Sequence, residues 1–517
     1  MTNKFLTALT NTLDNNPDTT TENGAPSFST TKDPRVDFFS KVCRGTSKKE
    51  VQKMMEKSLR ANPQDALRLM YQLRDCRGGK GEREVFYHAF QWLANTNPNT
   101  AIKMIEFGHT QYYGYWKDLL SLYPLVPGNI RTVIVNTFCT QLQQDSRTLD
   151  RLSYEDVNGS VSLAAKWAPS ESSTYQRKHK LARRFAEKLF PDARKIQHAL
   201  QNYRKMITKL RAFTGVVEVV MCQKMWDTID YSKVPSVAMK NYRKAFRKHD
   251  ETRLEEFLTK VAKGEAKINA KQLFYHDLVR EYLTRHLPLD KVIELQRDEL
   301  LKPYLNGENS SLDGALAICD VSGSMEGTPM EVSIALGDLI SQCSKGPFKN
   351  TVITFSGNPR LHRLPEGSLH DRVASLSRAD WGNNTDLEKT MLLILQTAVD
   401  NKMSQADFPK RLYIISDMQF DQATESRWGS QVPRYETVFQ SLKRQFQKHG
   451  YRLPEIVFWN VRGDTSDFPV INSETNVAMI SGFSPSLLTT VLNGDLPNPY
   501  EIMRRAIDSD RYARVVV

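Results

Sequence analysis

No run of eighteen consecutive apolar residues occurs in this chain, so no transmembrane helix is expected and no membrane partner is anticipated. Cysteine is scarce. Cys43, Cys76, Cys139, Cys222, Cys319 and Cys343 are scattered and never stand in CxxC spacing, which argues against a thiolate zinc site or a dithiol redox motif. Cys319 falls in an apolar strand-like run and Cys343 near the end of an apolar helical one. Both read as core thiols in a reducing compartment, so a cytoplasmic, intracellular location is expected. The opening residues MTNKFLTALTNTLDNN have too short an apolar stretch for a signal peptide. HExxH, GxSxG and GxxxxGK[ST] are all missing, and no Cys–His pair is legible. Nothing argues for an enzyme, and a non-catalytic protein is expected.

Strand-like alternation is nearly absent before residue 315, and what fills that length is helical. Residues 1–35 are rich in Thr, Asn, Asp, Ser and Pro and read as a polar flexible tail. From 36 to 305, apolar residues recur at i, i+3, i+4 spacing in roughly a dozen segments, broken by Pro63, Arg77-Gly78-Gly79 and Pro98. The reading is an all-α, HEAT-like stack of helical pairs without a strict sequence period. Polar residues at 305–313 mark a linker. From 306 to 517 strand-like runs (Ala315–Cys319, Asn350–Phe355, Arg360–Arg363, Arg411–Ser416, Glu455–Val461, Val477–Ser481) alternate with amphipathic helices, the grammar of a doubly wound, mostly parallel sheet. The fold class expected is multidomain, α plus α/β.

Charge divides along the same line. The net charge is +12, but residues 1–300 carry 49 of the 71 Lys and Arg and 34 of the 59 Asp and Glu, a net of +15. Residues 301–517 carry 22 against 25. A polyanion partner, nucleic acid, is expected for the first part; charge for solubility alone is the competing reading. The densest basic stretch runs from Arg177 to Arg211. Arg177, Lys180 and Arg184, with neighbouring Arg183, would lie along one helix face, and Lys205 and Lys209 along another, able to follow a phosphate backbone. The alternative is a solvated face without a ligand. A second basic element, Asp75-Cys76-Arg77-Gly78-Gly79-Lys80-Gly81-Glu82-Arg83, joins two helices. Its glycines with Lys80 and Arg83 suit either a phosphate-binding helix N-terminus or a tight turn with solvated charges.

The sharpest motif is Asp320-Val321-Ser322-Gly323-Ser324, where an apolar strand feeds a helix. Such a loop sits at the carboxyl edge of a parallel sheet, where open α/β folds bind their ligands. One carboxylate and two hydroxyls form an oxygen-only set suited to Mg²⁺ or Mn²⁺; mere capping of the helix by Asp320 and Ser322 is the alternative. Thr385, in Trp381-Gly382-Asn383-Asn384-Thr385-Asp386-Leu387, and Asp417, ending Tyr413-Ile414-Ile415-Ser416-Asp417, follow in order at further loops.

This order resembles the metal-ion-dependent adhesion site of von Willebrand factor A (vWA) domains. The resemblance implies Ser322, Ser324 and Thr385 as direct ligands, with Asp320 and Asp417 acting through water. It also implies one open metal position that a partner protein's carboxylate fills. A basic helical module joined to a vWA domain in turn resembles the TROVE ribonucleoproteins, the Ro autoantigen group. A sister family, in which a domain of unknown function precedes vWA, is more similar still. The strings carrying this are RDCRGGKGERE, YYGYWKDLL, AAKWAPSE, IDYSKVPSVAM, INAKQLFYHDLV, DVSGSM, WGNNTDL and ISDMQFD. It implies an RNA-binding scaffold or RNA chaperone in a ribonucleoprotein. The competing function is an adaptor whose vWA metal captures an acidic residue of a partner protein.

Overall fold

The structure is a computed structural model and describes residues 16–152, 160–305, 312–355, 359–378, 386–421, 436–465, 467–492 and 494–515. It divides into two compact units. One is formed by residues up to 73, 77–85 and 270–517, the other by 74–76 and 86–269.

The first unit is built on a six-stranded sheet. Its strands are β1 (Ala315–Asp320), β2 (Thr351–Phe355), β3 (Arg360–Arg363), β4 (Arg411–Ser416), β5 (Glu455–Asn460) and β6 (Val477–Ser481). They are ordered β3-β2-β1-β4-β5-β6. Every neighbouring pair is parallel except β2 with β3. The expected strands are therefore all present, and the sheet is mixed rather than wholly parallel. β1 and β6 are buried at every position. This is why they read as continuous apolar runs without alternation: both faces are covered. β3, Arg360-Leu361-His362-Arg363, is the exposed edge, and its cations discourage pairing with another chain. Helix Thr328–Cys343 crosses so near β1 that a Cβ on Gly337 would lie 2.2 Å from Cys319 Sγ, and only glycine fits there.

The chain moves from β1 outward to β2 and β3, then returns to the other side of β1 to lay down β4. The order thus reverses between β1 and β4. A sheet of this kind opens a crevice at that reversal, beyond the carboxyl ends of the two strands.

Spatial units and composition boundaries disagree. Residues 16–33, read as part of a flexible tail, are anchored to the sheet unit; residues 1–15 lie outside the described residues. Thr19–Thr20 pairs with Pro26–Ser27, and Phe28 exchanges backbone hydrogen bonds with Phe468. Thr21 Oγ1 donates to Phe420 O at 2.7 Å and Asn23 Nδ2 to Gln419 O at 2.7 Å. The polar side chains that suggested solvation serve instead as hydrogen-bond partners, while buried Ala25 and Phe28 supply the apolar contact. Helices Pro34–Lys41, Lys48–Ala61, Tyr275–Leu283 and Lys291–Leu305, assigned by composition to the helical region, also belong to this unit. Tyr275 donates to Asp338 at 2.7 Å, and Arg280 grips Glu331 through Nε at 2.9 and 2.8 Å, which ties Tyr275–Leu283 to the helix behind β1.

The second unit is built of helices and their connections, with no strand among its described residues. Leu181–Leu189 and Ile196–Phe213 turn Phe185 and Tyr203 toward Phe138 of Gly128–Leu152, with Phe185 5.2 Å from Phe138 and 6.3 Å from Tyr203. Here one expectation is corrected. The segment 174–189 is two helices, Thr174–His179 and Leu181–Leu189, because Lys180 adopts φ +54° between them. Arg177 and Arg184 therefore sit on different helices, and the single-face spacing with Lys180 does not hold.

Within the same unit Arg74, Asp118, His109 and Tyr87 form a buried polar cluster. Arg74 donates to both Asp118 oxygens, at 2.9 and 3.0 Å; Tyr87 donates to Oδ1 at 2.8 Å, and the Tyr115 N–H to Oδ2 at 2.8 Å. Burial pushes the Asp118 carboxyl up, yet the His109 and Arg74 contacts outweigh it and hold the group below the ordinary carboxylate range. Two motif strings, RDCRGG and YYGYWKDLL, meet in this cluster, which gives them a structural role.

Candidate functional site

The crevice at the strand-order reversal is where the oxygen set falls. Asp320 ends β1 and Asp417 follows β4, its immediate neighbour. Asp320 Oδ1 accepts the Ser322 N–H at 2.9 Å and Oδ2 accepts the Ser416 hydroxyl at 2.7 Å. Ser322 and Ser324 bring their Oγ atoms within 3.0 Å of each other. Asp417 Oδ1 accepts the Gln419 N–H at 3.1 Å, across a Met418 held at φ +66°. A left-handed, non-glycine residue at a strand end is strained backbone of the sort found beside functional sites. Burial first, then the negative charge of Asp417, pushes the Asp320 carboxyl up to about 7. Two acids crowded at one dry edge are a place where a cation is favoured.

The helix-capping alternative fails on geometry. The N-cap of Thr328–Cys343 is Gly327, and the short turn Gly323–Met325 has no side-chain cap from Ser322. Among the described residues no group of three or more His, Cys, Asp or Glu gathers to hold a metal. The donors here are instead two carboxylates with serine hydroxyls, a hard oxygen set that fits Mg²⁺ or Mn²⁺ and no softer ion. Thr385 lies outside the described residues.

One member of the site was not read from the sequence. Arg462, just past β5, reaches Asp417 Oδ2 through Nη1 at 3.3 Å and holds Asp464 through Nε at 2.7 Å. Its guanidinium supplies positive charge where the two acids repel. Asn460-Val461-Arg462-Gly463-Asp464 at the end of an apolar run was the available signal.

The phosphate-loop reading of Lys80 is overturned. Lys80 is 1% exposed and its ammonium donates to Phe39 O at 2.6 Å, Val42 O at 2.8 Å and Ser481 Oγ at 2.7 Å. All three N–H groups are spent on the end of helix Pro34–Lys41 and on β6, leaving none for a phosphate. Burial pushes its pKa down to about 8. The left-handed residue of the loop is Gly81, at φ +70°; Gly78 and Gly79 do not have positive φ. Arg83 is exposed, one residue before helix Glu84–Thr96.

In the second unit Arg177, Lys180, Arg183, Arg184, Lys205 and Lys209 are all exposed. Arg183 pairs with Glu187 at 2.8 Å and Lys209 with Asp150 at 2.8 Å, both solvent-facing pairs of the weak kind. Arg177, Lys180, Arg184 and Lys205 have no acidic partner among the described residues. Phe185 and Tyr203, interleaved with these cations, are core, and Tyr203 donates to Pro169 O at 2.8 Å.

An open α/β sheet with paired acids at its reversal point, carried on one chain with a separate basic helical unit, defines the class. The chain belongs to the family described as Domain of unknown function (DUF2828), matched over residues 21–130 and 129–303. Residues 314–511 match a second, Domain of unknown function (DUF7788). The gap between them falls at the polar stretch 305–313, although the spatial units divide elsewhere. The chain is also similar to "Uncharacterized protein L728" of Acanthamoeba polyphaga mimivirus, 31% identical over 515 residues that cover 94% of this chain and 87% of the relative.

Proposed function

We propose that this is a non-catalytic, cytoplasmic RNA-binding protein, a scaffold or chaperone of a ribonucleoprotein, similar to the TROVE proteins in joining a basic HEAT-like region to a Mg²⁺-binding vWA domain. The observation that carries the reading is the exposed cation field of the second unit, where Arg177, Lys180, Arg184 and Lys205 stand without acidic partners among the described residues. Exposed cations that neutralise phosphates release the counterions condensed on the nucleic acid. Arg183 and Lys209 join at little cost, because their surface pairs are weak. The experiment is crosslinking of the full chain to RNA in cells, with and without nuclease treatment before recovery. RNA fragments attached to helices 174–213 are expected; absence of crosslinked RNA rejects the reading.

A second reading has its own observation. Asp320 and Asp417 crowd at the sheet's reversal point with Ser322 and Ser324 beside them. In the vWA reading these groups, with Thr385, hold Mg²⁺, and the metal's open position takes a carboxylate from a partner protein. The ion would supply Lewis-acid binding of that carboxylate; the serine hydroxyls and backbone would orient it. Calorimetry should record Mg²⁺ binding by the wild type and none by Asp320→Ala, with the melting temperature of the variant preserved. Equal binding by both proteins removes this reading.

A further inference from the structure

A cavity of about 410 Å³ lies within the first unit, between helices Pro34–Lys41 and Lys48–Ala61 and the loop Gly463–Thr465 after β5. Its volume is in the range of small-molecule sites. Its wall holds donors without acceptors. Lys41 is a buried cation, 4% exposed, whose ammonium has one hydrogen bond among the described residues, a long one of 3.4 Å to Glu50 Oε1. Thr465 is 1% exposed and its hydroxyl has no partner among the described residues. Lys57 has no ion pair among the described residues, and Lys53, one turn earlier on the same helix face, touches Glu50 only at 3.7 Å. Ser47, the N-cap of Lys48–Ala61, lines the cavity too and places the positive end of a fourteen-residue helix there.

The acids around the cavity are already occupied. Asp37 accepts the Thr31 N–H at 2.6 Å and the Thr31 and Thr30 hydroxyls at 2.5 Å each. Glu50 faces Lys41 and Lys53, and Asp464 is held by Arg462. Three lysines and three acids line the cavity, with the charge of Lys57 acting on Asp37 and that of Lys41 on Asp467, but the acids' oxygens already have donors while Lys41, Lys57 and Thr465 keep donors to spare. A buried ammonium and a buried hydroxyl left short of acceptors each cost stability, and a chain keeps such groups where a ligand completes them.

From this geometry we infer that the cavity is a binding site for a phosphorylated small molecule, its phosphate seated among Lys41, Lys57 and Thr465. Three lysines lining one cavity suit the several oxygens of a phosphate ester better than a single carboxylate. The volume exceeds what a bare ion fills, which leaves room for the organic part. The inference rests on neither the RNA nor the metal reading, since none of these residues belongs to either set.

Isothermal calorimetry on the full chain in low-salt, metal-free buffer, with AMP and pyrophosphate as probes, tests it. Saturable binding of at least one probe is expected. Lys57→Gln and Thr465→Val should each weaken it about tenfold, as loss of one hydrogen bond to a charged group does. Lys41→Met should abolish it. The ligand-free melting temperature of Thr465→Val should equal or exceed the wild-type value, because it removes an unsatisfied buried hydroxyl. Should Lys41→Met not fold, the exposed Lys57→Gln decides alone. Absence of saturable binding to both probes, or binding that Lys57→Gln and Thr465→Val leave unchanged, overturns the inference.

Discussion

Lys80 separates a phosphate-binding loop from a structural tie, and the structure lets its replacement be worked through. In Lys80→Ala three methylenes of buried stem are lost, about 2.4 kcal/mol at ~0.8 each. The carbonyls of Phe39 and Val42 lose a charged donor. Ser481 Oγ lies 3.1 and 3.4 Å from them and its single proton can serve one of the two, so the penalty is that of one orphaned carbonyl, near the low end of the roughly 1–3 kcal/mol range. Against these stands relief from burying the ammonium. Its pKa falls from 10.5 to about 8, which at ~1.36 kcal/mol per unit corresponds to about 3 kcal/mol. The sum for Ala is a net loss of about 1–2 kcal/mol. Lys80→Met keeps the stem and should come out near neutral.

The pH dependence follows from the same depression. Between pH 8 and 10.5 the unfolded chain holds the Lys80 proton while the folded chain has released it, so wild-type stability rises with pH across that window. Below pH 8 both states are protonated and Lys80 contributes no slope. Chemical denaturation of wild type and both variants at pH 7.5, 9 and 10 measures this as a difference: the wild-type gain should be missing from both. RNA affinity should be the same in all three proteins. A Lys80→Met protein with normal stability and weakened RNA binding refutes the reasoning and restores the loop as a phosphate site.

In the helical unit, Asp118→Ala strands Arg74 as a buried unpaired charge and should cost about 3–5 kcal/mol in denaturant unfolding; a loss below 1 kcal/mol would show that the cluster is not buried as described. Gly114→Ala should destabilise the same unit, because its Cβ would come 2.3 Å from both Asp118 Oδ2 and His109 Nε2; a wild-type melting curve contradicts this. At the sheet edge, Arg462→Gln removes a positive charge from Asp417 and should tighten Mg²⁺ binding about three- to tenfold in calorimetry. Weaker Mg²⁺ binding by Arg462→Gln would make the guanidinium a support of the cation site instead of its competitor.

The α/β half was legible because buried parallel strands announce themselves. Leu412–Ile415 and Ala315–Cys319 have no polar position to confuse the pattern, and amphipathic helices separate them. The two acids were legible for the same reason: Asp320 is the first polar residue after such a run, and Asp417 follows Ser416, the first polar residue after the other. Composition could not reveal which helices travel with the sheet. Residues 16–33 look solvated, yet the Thr21 hydroxyl and the Asn23 amide are spent on carbonyls of the Gln419–Phe420 loop, distant in sequence. Lys80 misled in the opposite direction. A lysine among glycines reads as exposed, and only tertiary structure places three acceptors around it. Arg462 stayed hidden because an isolated arginine after a strand carries no pattern until its neighbour strand is known to end in Asp417.

The central claim is that the unpaired cations of the second unit carry RNA, and its most direct test is the salt dependence of affinity. Binding of the full chain to a single-stranded RNA should be measured from 50 to 300 mM KCl for wild type and for the fourfold variant Arg177→Glu, Lys180→Glu, Arg184→Glu, Lys205→Glu. At ~0.7 released counterions per phosphate contact on a single strand, loss of four contacts should lower the slope of log affinity against log salt by about 3. The variant should also bind far more weakly at 50 mM while melting at the wild-type temperature. Equal affinities and equal slopes for the two proteins would contradict the account.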